Sequence, residues 1–229
     1  MTSTVFDLNN QGIHYLQQGS LGEAANTFQS ALMRLREVLY RTIKADTTQR
    51  SSSSSSIDNR IAIPTRTGPS SPSNVLQNEN QFSLFDQAFI LPCRLSESEI
   101  LLSVDLENLV SCCLLYNLAL TYHKRGLATG KSKDLQQAVS LYQKAATLGD
   151  FVEELAEQSL LQILAVFNNL GHIYSEHFES AQVSGCMDSI LMILESSESY
   201  EHLQEEDYNF FSWHFFLYPE IPVWLAPAA

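Results

Sequence analysis

The chain has 229 residues, of which 45% are hydrophobic, and a formal net charge of −13. This length is sufficient for one or two domains with a sizeable core. An acidic surface repels phosphate backbones, which argues against nucleic-acid binding. The first residues lack the pattern of a signal peptide, and no apolar run reaches the roughly 18 residues of a transmembrane helix. We therefore expect a soluble cytoplasmic protein with no nucleic-acid or membrane partner.

The charge is distributed unevenly along the chain. Residues 34–66 hold seven of the 13 Lys and Arg residues, whereas no Lys or Arg follows Lys144. The acidic half suits a basic partner or the chain's own basic stretch. It can equally be a solvated face that promotes solubility.

Apolar residues recur at intervals of three and four over much of the chain, which predicts amphipathic helices. The predicted helices span residues 4–18, 21–44, about 96–102, 105–125, 134–148, 152–176 and 180–196. Glycine readily adopts the left-handed conformation that ends a helix. Gly126 is therefore predicted to end the helix 105–125 and to begin a loop over 126–133. The acidic stretch 195–207 is predicted to be exposed.

Residues 45–80 differ in composition from the rest of the chain. They contain six consecutive serines (51–56), three prolines and few apolar residues, which predicts a disordered insertion. Ser71 precedes Pro72 near several basic residues, an arrangement that suits regulatory phosphorylation. A passive linker is the alternative.

Two aromatic stretches predict a small β element. Residues 86–91 precede Pro92 and read as a short strand, and residues 210–218 form a similar stretch before Pro219. A lone strand leaves its backbone groups without partners. We therefore predict that these two stretches pair as an antiparallel ribbon on the helices.

Small and aromatic residues recur in the same order in three parts of the chain. In residues 5–36 they are Leu8, Gly12, Tyr15, Gly19, Ala24, Phe28 and Ala31. In the central part they are Ala119, Tyr122, Gly126, Ala138, Tyr142 and Ala145, and the third copy covers 169–174. These spacings resemble the tetratricopeptide repeat (TPR) family, with an insertion in the central copy.

The resemblance implies a mainly α fold in which antiparallel helix pairs stack into a solenoid. The implied organisation is a first helix pair over 4–44, the disordered insertion over 45–80, a repeat region over 81–207 that includes the short strand, and a tail over 208–229 with the second strand. In such a solenoid the first helices of the pairs line a concave groove. The resemblance therefore implies a protein–protein interaction module that binds a peptide or partner protein in this groove.

In the first helix, the face predicted to line the groove carries Asn9, Ile13, Leu16 and Gln17. The predicted partner-binding residues lie on or beside these faces of the first helices. They are Asn10, Ile13, Tyr116, Asn117, Leu120, His123, Lys124, Asn168, Asn169 and His172. Asn10, Asn117 and Asn169 occupy the same place in the three copies. A side-chain amide can hold an extended peptide backbone, or it can cap or bridge neighbouring helices, and both interpretations stay open.

The chemistry of the groove also bears on the kind of partner. TPR proteins that bind the C-terminal carboxylate of heat-shock chaperones use basic groove residues. Ala165 and Asn169 stand where that subclass carries Lys and Arg. The resemblance therefore favours a peptide of basic or mixed character over a chaperone tail.

No group of residues predicts catalysis, a metal or a cofactor. The four cysteines lack the C-x-x-C spacing of a zinc or redox site. His172 and His177 lie five apart, which differs from the H-E-x-x-H pattern, and Gly130-Lys131 lacks the P-loop spacing. Two weaker alternatives remain. One is a metal-dependent enzyme that uses His172 and Glu176, and the other is a phosphorylation-regulated protein whose basic loop docks on its acidic half.

Overall fold

A computed structural model describes residues 3–46, 65–68, 82–91, 97–100, 104–149, 156–196 and 203–216. Within these ranges the chain is mainly α-helical and carries one two-stranded antiparallel sheet. The helices are α1 (Val5–Gln17), α2 (Leu21–Asp46), α3 (Glu97–Ile100), α4 (Val104–Thr129), α5 (Ser132–Gly149), α6 (Ala156–Glu176), α7 (Ser180–Glu195) and α8 (Glu205–Phe216). The strands are β1 (Thr65–Arg66) and β2 (Phe89–Ile90).

The helices pack in consecutive pairs, α1 with α2, α4 with α5, and α6 with α7. Neighbouring pairs join through α2 against α4 and through α5 against α6. Both junctions carry the same side-chain hydrogen bond, from Gln29 Nε2 to Tyr122 Oη (2.9 Å) and from Gln143 Nε2 to Tyr174 Oη (3.0 Å). The prediction of a mainly α fold built from consecutive helix pairs is therefore confirmed.

Small residues permit close helix packing, as the sequence pattern indicated. A Cβ atom added to Gly12 on α1 would lie 2.6 Å from the ring of Phe28 on α2, so only glycine fits there. The first pair begins with a capping box, in which Thr4 accepts a hydrogen bond from the Asp7 amide and the Asp7 carboxylate accepts one from the Thr4 amide.

The predicted end of the central first helix at Gly126 is wrong. α4 continues to Thr129 and ends before Gly130, which has a φ of 67°. Gly126 instead lies inside the helix, where an added Cβ would approach Leu135 on α5 to 2.6 Å. Two residues, Gly130 and Lys131, connect α4 to α5 in place of the predicted loop over 126–133. The glycine at 126 is required for close packing rather than for a turn.

The prediction of a short strand within 86–91 is confirmed, but its predicted partner is wrong. β2 pairs with β1, with Thr65 opposite Ile90 and Arg66 opposite Phe89. β1 lies within the stretch predicted to be disordered, so that prediction does not hold for 65–68. The remaining residues of that stretch, apart from the end of α2 at Asp46, lie outside the described ranges.

The aromatic stretch predicted as the second strand is helical as far as Phe216, and residues 217–218 lie outside the described ranges. α8 buries Phe210 and Phe211 on one side and leaves Trp213 partly exposed, so helical packing decides the conformation of this stretch over its β propensity. The predicted boundary between 207 and 208 lies inside this helix. Glu205 and Glu206 are exposed as predicted, whereas Asp207 is buried.

Residues 82–91 are non-helical, with strand structure at Phe89–Ile90, and they lie between the helix pairs and α8. They belong to the same hydrophobic core as the helices, and Phe82, Phe85, Phe89 and Leu91 are each at most 2% exposed. The interior of the helix pairs is therefore completed by a non-helical segment of the same chain.

Among the helices of the described ranges, none has both the length and the apolar composition of a membrane-spanning helix.

Candidate functional site

The candidate site is the groove along α1, α4 and α6 together with the segment 82–91 that fills it. Asn169 on α6 makes the first of two equivalent contacts with this segment. Its Oδ1 accepts a hydrogen bond from the amide of Phe85 (2.9 Å), and its Nδ2 donates to the carbonyl oxygen of Phe85 (3.0 Å). One side-chain amide therefore binds both backbone polar groups of one residue.

Asn117 on α4 makes the second equivalent contact, four residues further along the segment. Its Oδ1 accepts from the amide of Phe89 (2.9 Å), and its Nδ2 donates to the carbonyl oxygen of Phe89 (2.8 Å). Asn9 on α1 adds a donor to the same carbonyl oxygen (3.2 Å), and its own Oδ1 accepts from Asn117 Nδ2 (2.9 Å). Side chains from two helix pairs thus converge on one residue of the segment.

Two further residues extend the set of backbone contacts. Asn168 Nδ2 donates to the carbonyl oxygen of Ser83 (2.7 Å), and Tyr116 Oη donates to the carbonyl oxygen of Phe85 (3.0 Å). Buried backbone groups outside regular secondary structure need such partners. The asparagines supply them, and so allow a segment with little strand structure of its own to lie in the core.

The side chains of the segment fill aromatic pockets between the groove and α8. Phe85 lies with its ring centroid 5.3 Å from that of Phe211 and 5.4 Å from that of Phe210. Phe89 packs edge-to-face on Tyr116 at 4.9 Å. Aromatic pairs at these separations add about 0.5–1.5 kcal/mol beyond the area they bury.

Gly171 on α6 makes room for Phe82. An added Cβ at Gly171 would lie 2.5 Å from the tip of the Phe82 ring. This contact repeats the one between Gly12 and Phe28, although Phe82 belongs to the segment rather than to a second helix. The groove wall is thus shaped to the occupant that it holds.

The outer side of the segment is held by polar contacts. Thr67 donates its amide to the carbonyl oxygen of Ala88 (3.0 Å), and the Thr67 hydroxyl accepts from the Ala88 amide (3.2 Å). Arg66 Nε lies 3.3 Å from the buried carboxylate of Asp207 on α8. At the rim, Lys124 Nζ lies 3.8 Å from Asp86. Residues 65–68 therefore connect the segment to α8.

A buried histidine pair lies between α4 and α6. His123 Nε2 and His172 Nδ1 are 3.2 Å apart, and the His123 ring packs edge-to-face on Tyr142. Burial lowers the pKa of both imidazoles, and the neighbouring His172 lowers the pKa of His123 further. Both rings are therefore neutral at pH 7. Among the described residues, His123 Nδ1 has no hydrogen-bond partner.

The structure brings most of the predicted partner-binding residues together, but on a segment of the same chain. Tyr116, Asn117, Asn168 and Asn169 contact its backbone and Lys124 pairs with Asp86, whereas His123 and His172 contact each other. Ile13 and Leu120 are buried in the core. These faces of the first helices are therefore covered by residues 82–91 of the same chain.

Asn10 is the one predicted residue that points away from the groove. It is exposed, whereas the adjacent Asn9 is fully buried and contacts the segment. Successive helical residues are about 100° apart, so a difference of one position moves a side chain off a face. The signal for Asn9 was present in the sequence, since it lies on the same predicted face as Ile13.

Buried cysteines and potential metal ligands are the remaining groups with possible chemical roles. Burial raises the pKa of the Cys112 and Cys186 thiols to about 12, so neither forms the reactive thiolate at pH 7. Over the described residues, no three His, Cys, Asp or Glu side chains are grouped in a way that could hold a metal ion.

No known protein family, curated protein or solved structure matches this chain.

Proposed function

We propose that this chain is a non-enzymatic protein–protein interaction module of the TPR-like kind, whose groove recognises an extended peptide through its backbone. The observation that carries this proposal is the pair of equivalent contacts made by Asn117 and Asn169. Each binds the amide and the carbonyl of one residue in an extended segment. Such contacts select an extended conformation and leave the side-chain pockets to provide specificity.

The burial of the segment limits how a partner can use this groove. Burying a Phe or Leu side chain contributes about 1.5–3 kcal/mol, so the three Phe and one Leu side chains buried in 82–91 together contribute on the order of 10 kcal/mol. Native domains are stable by only about 5–15 kcal/mol. The segment therefore does not leave the groove empty. A partner either replaces it with comparable side chains or binds the outer surface of the helix pairs.

Affinity capture with mass spectrometry from native lysate tests the proposal. The full chain is compared with Asp86→Lys, which places two cations at the rim of the groove beside Lys124. Asp188→Lys on α7 is the matched control, because it makes the same charge change at an exposed site. We expect Asp86→Lys to recover more of a specific partner than the other two proteins.

The remaining outcomes also have clear meanings. Equal recovery by all three proteins would place the interaction on the outer surface. No specific partner with any of them would contradict the interaction-module proposal. The rim ion pair is worth about 1 kcal/mol or less, so the expected increase is a few-fold.

One observation favours a second candidate, a phosphorylation-regulated protein whose basic loop docks on the acidic half. Arg66, from the basic stretch, pairs with Asp207 and lies 3.7 Å from Glu206. Proteolytic cleavage within 45–80 should then be slower at low salt than at high salt, and Arg66→Ala should remove the difference. Cleavage rates that do not depend on salt would count against this candidate.

A further inference from the structure

The segment 82–91 is held by two kinds of contact that can be separated. The asparagine contacts bind backbone atoms, so they do not depend on which side chains the occupant carries. Each contact binds the amide and the carbonyl of one residue, which favours an extended conformation there. Because Asn169 and Asn117 bind residues four apart, the two contacts also fix the register of the occupant. Any peptide that follows this path satisfies the same donors and acceptors.

The side-chain contacts define which sequences fit that path. Phe82 lies over Gly171, Phe85 between the rings of α8, and Phe89 against Tyr116. These pockets are spaced three and four residues apart along the occupant. Each is filled by an aromatic ring that is nearly inaccessible to water.

The rim adds a preference in charge. Lys124 pairs with Asp86, the residue directly after the second aromatic position. The Lys124 side chain is 33% exposed and that of Asp86 is 55% exposed, so this preference is a modest one. The observed contacts therefore favour an acidic residue there.

On the basis of the proposed function, we propose that residues 82–91 act as an intrachain ligand that is replaced by an extended segment of another protein. That segment has aromatic residues at relative positions 0, +3 and +7, matching Phe82, Phe85 and Phe89, and an acidic residue at +4, matching Asp86. Its backbone is bound by Asn117 and Asn169. The partner is thus an acidic, aromatic peptide rather than a basic one.

The tethered segment is the main competitor of such a peptide. Tethering gives it an effective concentration in the millimolar range or above, so a free peptide of equal fit does not displace it. Weakening the intrachain segment removes this advantage. Phe85→Ala lowers its affinity for the groove by about a hundredfold or more, since a buried Phe is truncated.

The experiment measures whether a free peptide rescues a weakened groove. A synthetic peptide with the sequence of residues 81–92 is titrated into the full-length Phe85→Ala protein while the thermal midpoint is recorded. A peptide with the same Phe85→Ala change is the matched ligand control. Full-length Phe28→Ala is the matched protein control, because Phe28 is a buried aromatic residue of α2 that packs on Gly12 of α1.

We expect the wild-type peptide to raise the midpoint of Phe85→Ala, as a ligand that binds the folded state must. Its apparent affinity should exceed that of the Ala peptide by at least tenfold, and it should leave Phe28→Ala unchanged. If Phe85→Ala does not fold, the same titration uses Phe82→Leu and a peptide with the same Leu.

Three results would overturn the inference: no rise with either segment variant, an equal rise with both peptides, or an equal rise in Phe28→Ala. Any of them would make 82–91 a permanent part of the fold. The capture experiment is independent of this titration. Failure to capture a partner counts against the proposed function, whereas failure of rescue counts against exchange of the segment.

Discussion

Replacing Asn169 with alanine provides the sharpest test of how the groove holds its extended segment. The substitution removes the hydrogen bonds to the amide and the carbonyl of Phe85. The Phe85 carbonyl keeps a donor in Tyr116, whereas the buried Phe85 amide loses the acceptor described here. The substitution also removes the hydrogen bond from Asn169 Nδ2 to the buried Tyr142 hydroxyl (3.1 Å). The main cost therefore comes from the Phe85 amide and the Tyr142 hydroxyl.

The magnitude follows from these contacts. A hydrogen bond contributes about 1 kcal/mol net, and an unsatisfied buried donor costs about 1–3 kcal/mol. Because the two effects overlap, we expect Asn169→Ala to lower the free energy of unfolding by about 2–4 kcal/mol. Asn10, at the same place in the first helix pair, is exposed, so Asn10→Ala should change it by no more than about 0.5 kcal/mol.

Urea denaturation followed by far-UV circular dichroism measures both variants. With m-values of about 1–3 kcal/mol/M, Asn169→Ala should lower the midpoint by roughly 1 M or more at an unchanged m-value. Equal midpoints for Asn169→Ala and Asn10→Ala would refute the reasoning, because they would show that the amide contacts add nothing to stability.

Three further predictions use other features of the core. Gly171→Ala should lower the free energy of unfolding by about 1–3 kcal/mol, because the added Cβ meets Phe82. Gly185→Ala should raise it by about 0.5–1 kcal/mol, because its Cβ meets nothing within 4 Å. Changes of the same sign for the two variants in urea denaturation would contradict this. Burial holds the pKa of His123 and His172 below 6.5, so the unfolded chain binds more protons than the folded one. Thermal stability should therefore fall as the pH drops through about 6.5. The same pH dependence in a His123→Gln/His172→Gln double variant would exclude the histidine pair as the cause. Cys112, with a pKa near 12, should react with iodoacetamide only after denaturation, and peptide mapping of labelled native protein should find it unmodified.

Sequence patterns predict most of the helices because the position of a helix depends largely on residues that are close together in the chain. The three-and-four periodicity places α1, α2 and α7 within one or two residues of their observed ends. Gly12 and Gly171 lie within the repeat copies that the sequence indicated. The amides at 117 and 169 were predicted either to hold an extended backbone or to bridge neighbouring helices. In the structure each contacts the backbone of residues 82–91 and also a side chain of another helix.

Only the tertiary structure decided what occupies the groove. The stretch 82–91 signals extended structure and a need for partners, but a pairing partner far along the chain is not encoded in local periodicity. The aromatic run of α8 favours strand by propensity, yet it folds as a helix because Phe210 and Phe211 then reach Phe85 on one face. Packing against neighbours overrides such propensities.

The rotation of each helix about its own axis is also decided by the tertiary structure. Asn9 and Asn10 are chemically identical. Helical periodicity placed Asn9 on the same face as Ile13, whereas the repeat placed Asn10 at the position of Asn117 and Asn169. The packing of α1 against α2 sets the rotation that buries Asn9 and exposes Asn10. The sequence by itself thus determined most of the helices and their consecutive pairing. Long-range packing determined which asparagine faces the groove and which segment fills it, because these depend on contacts between residues distant in the chain.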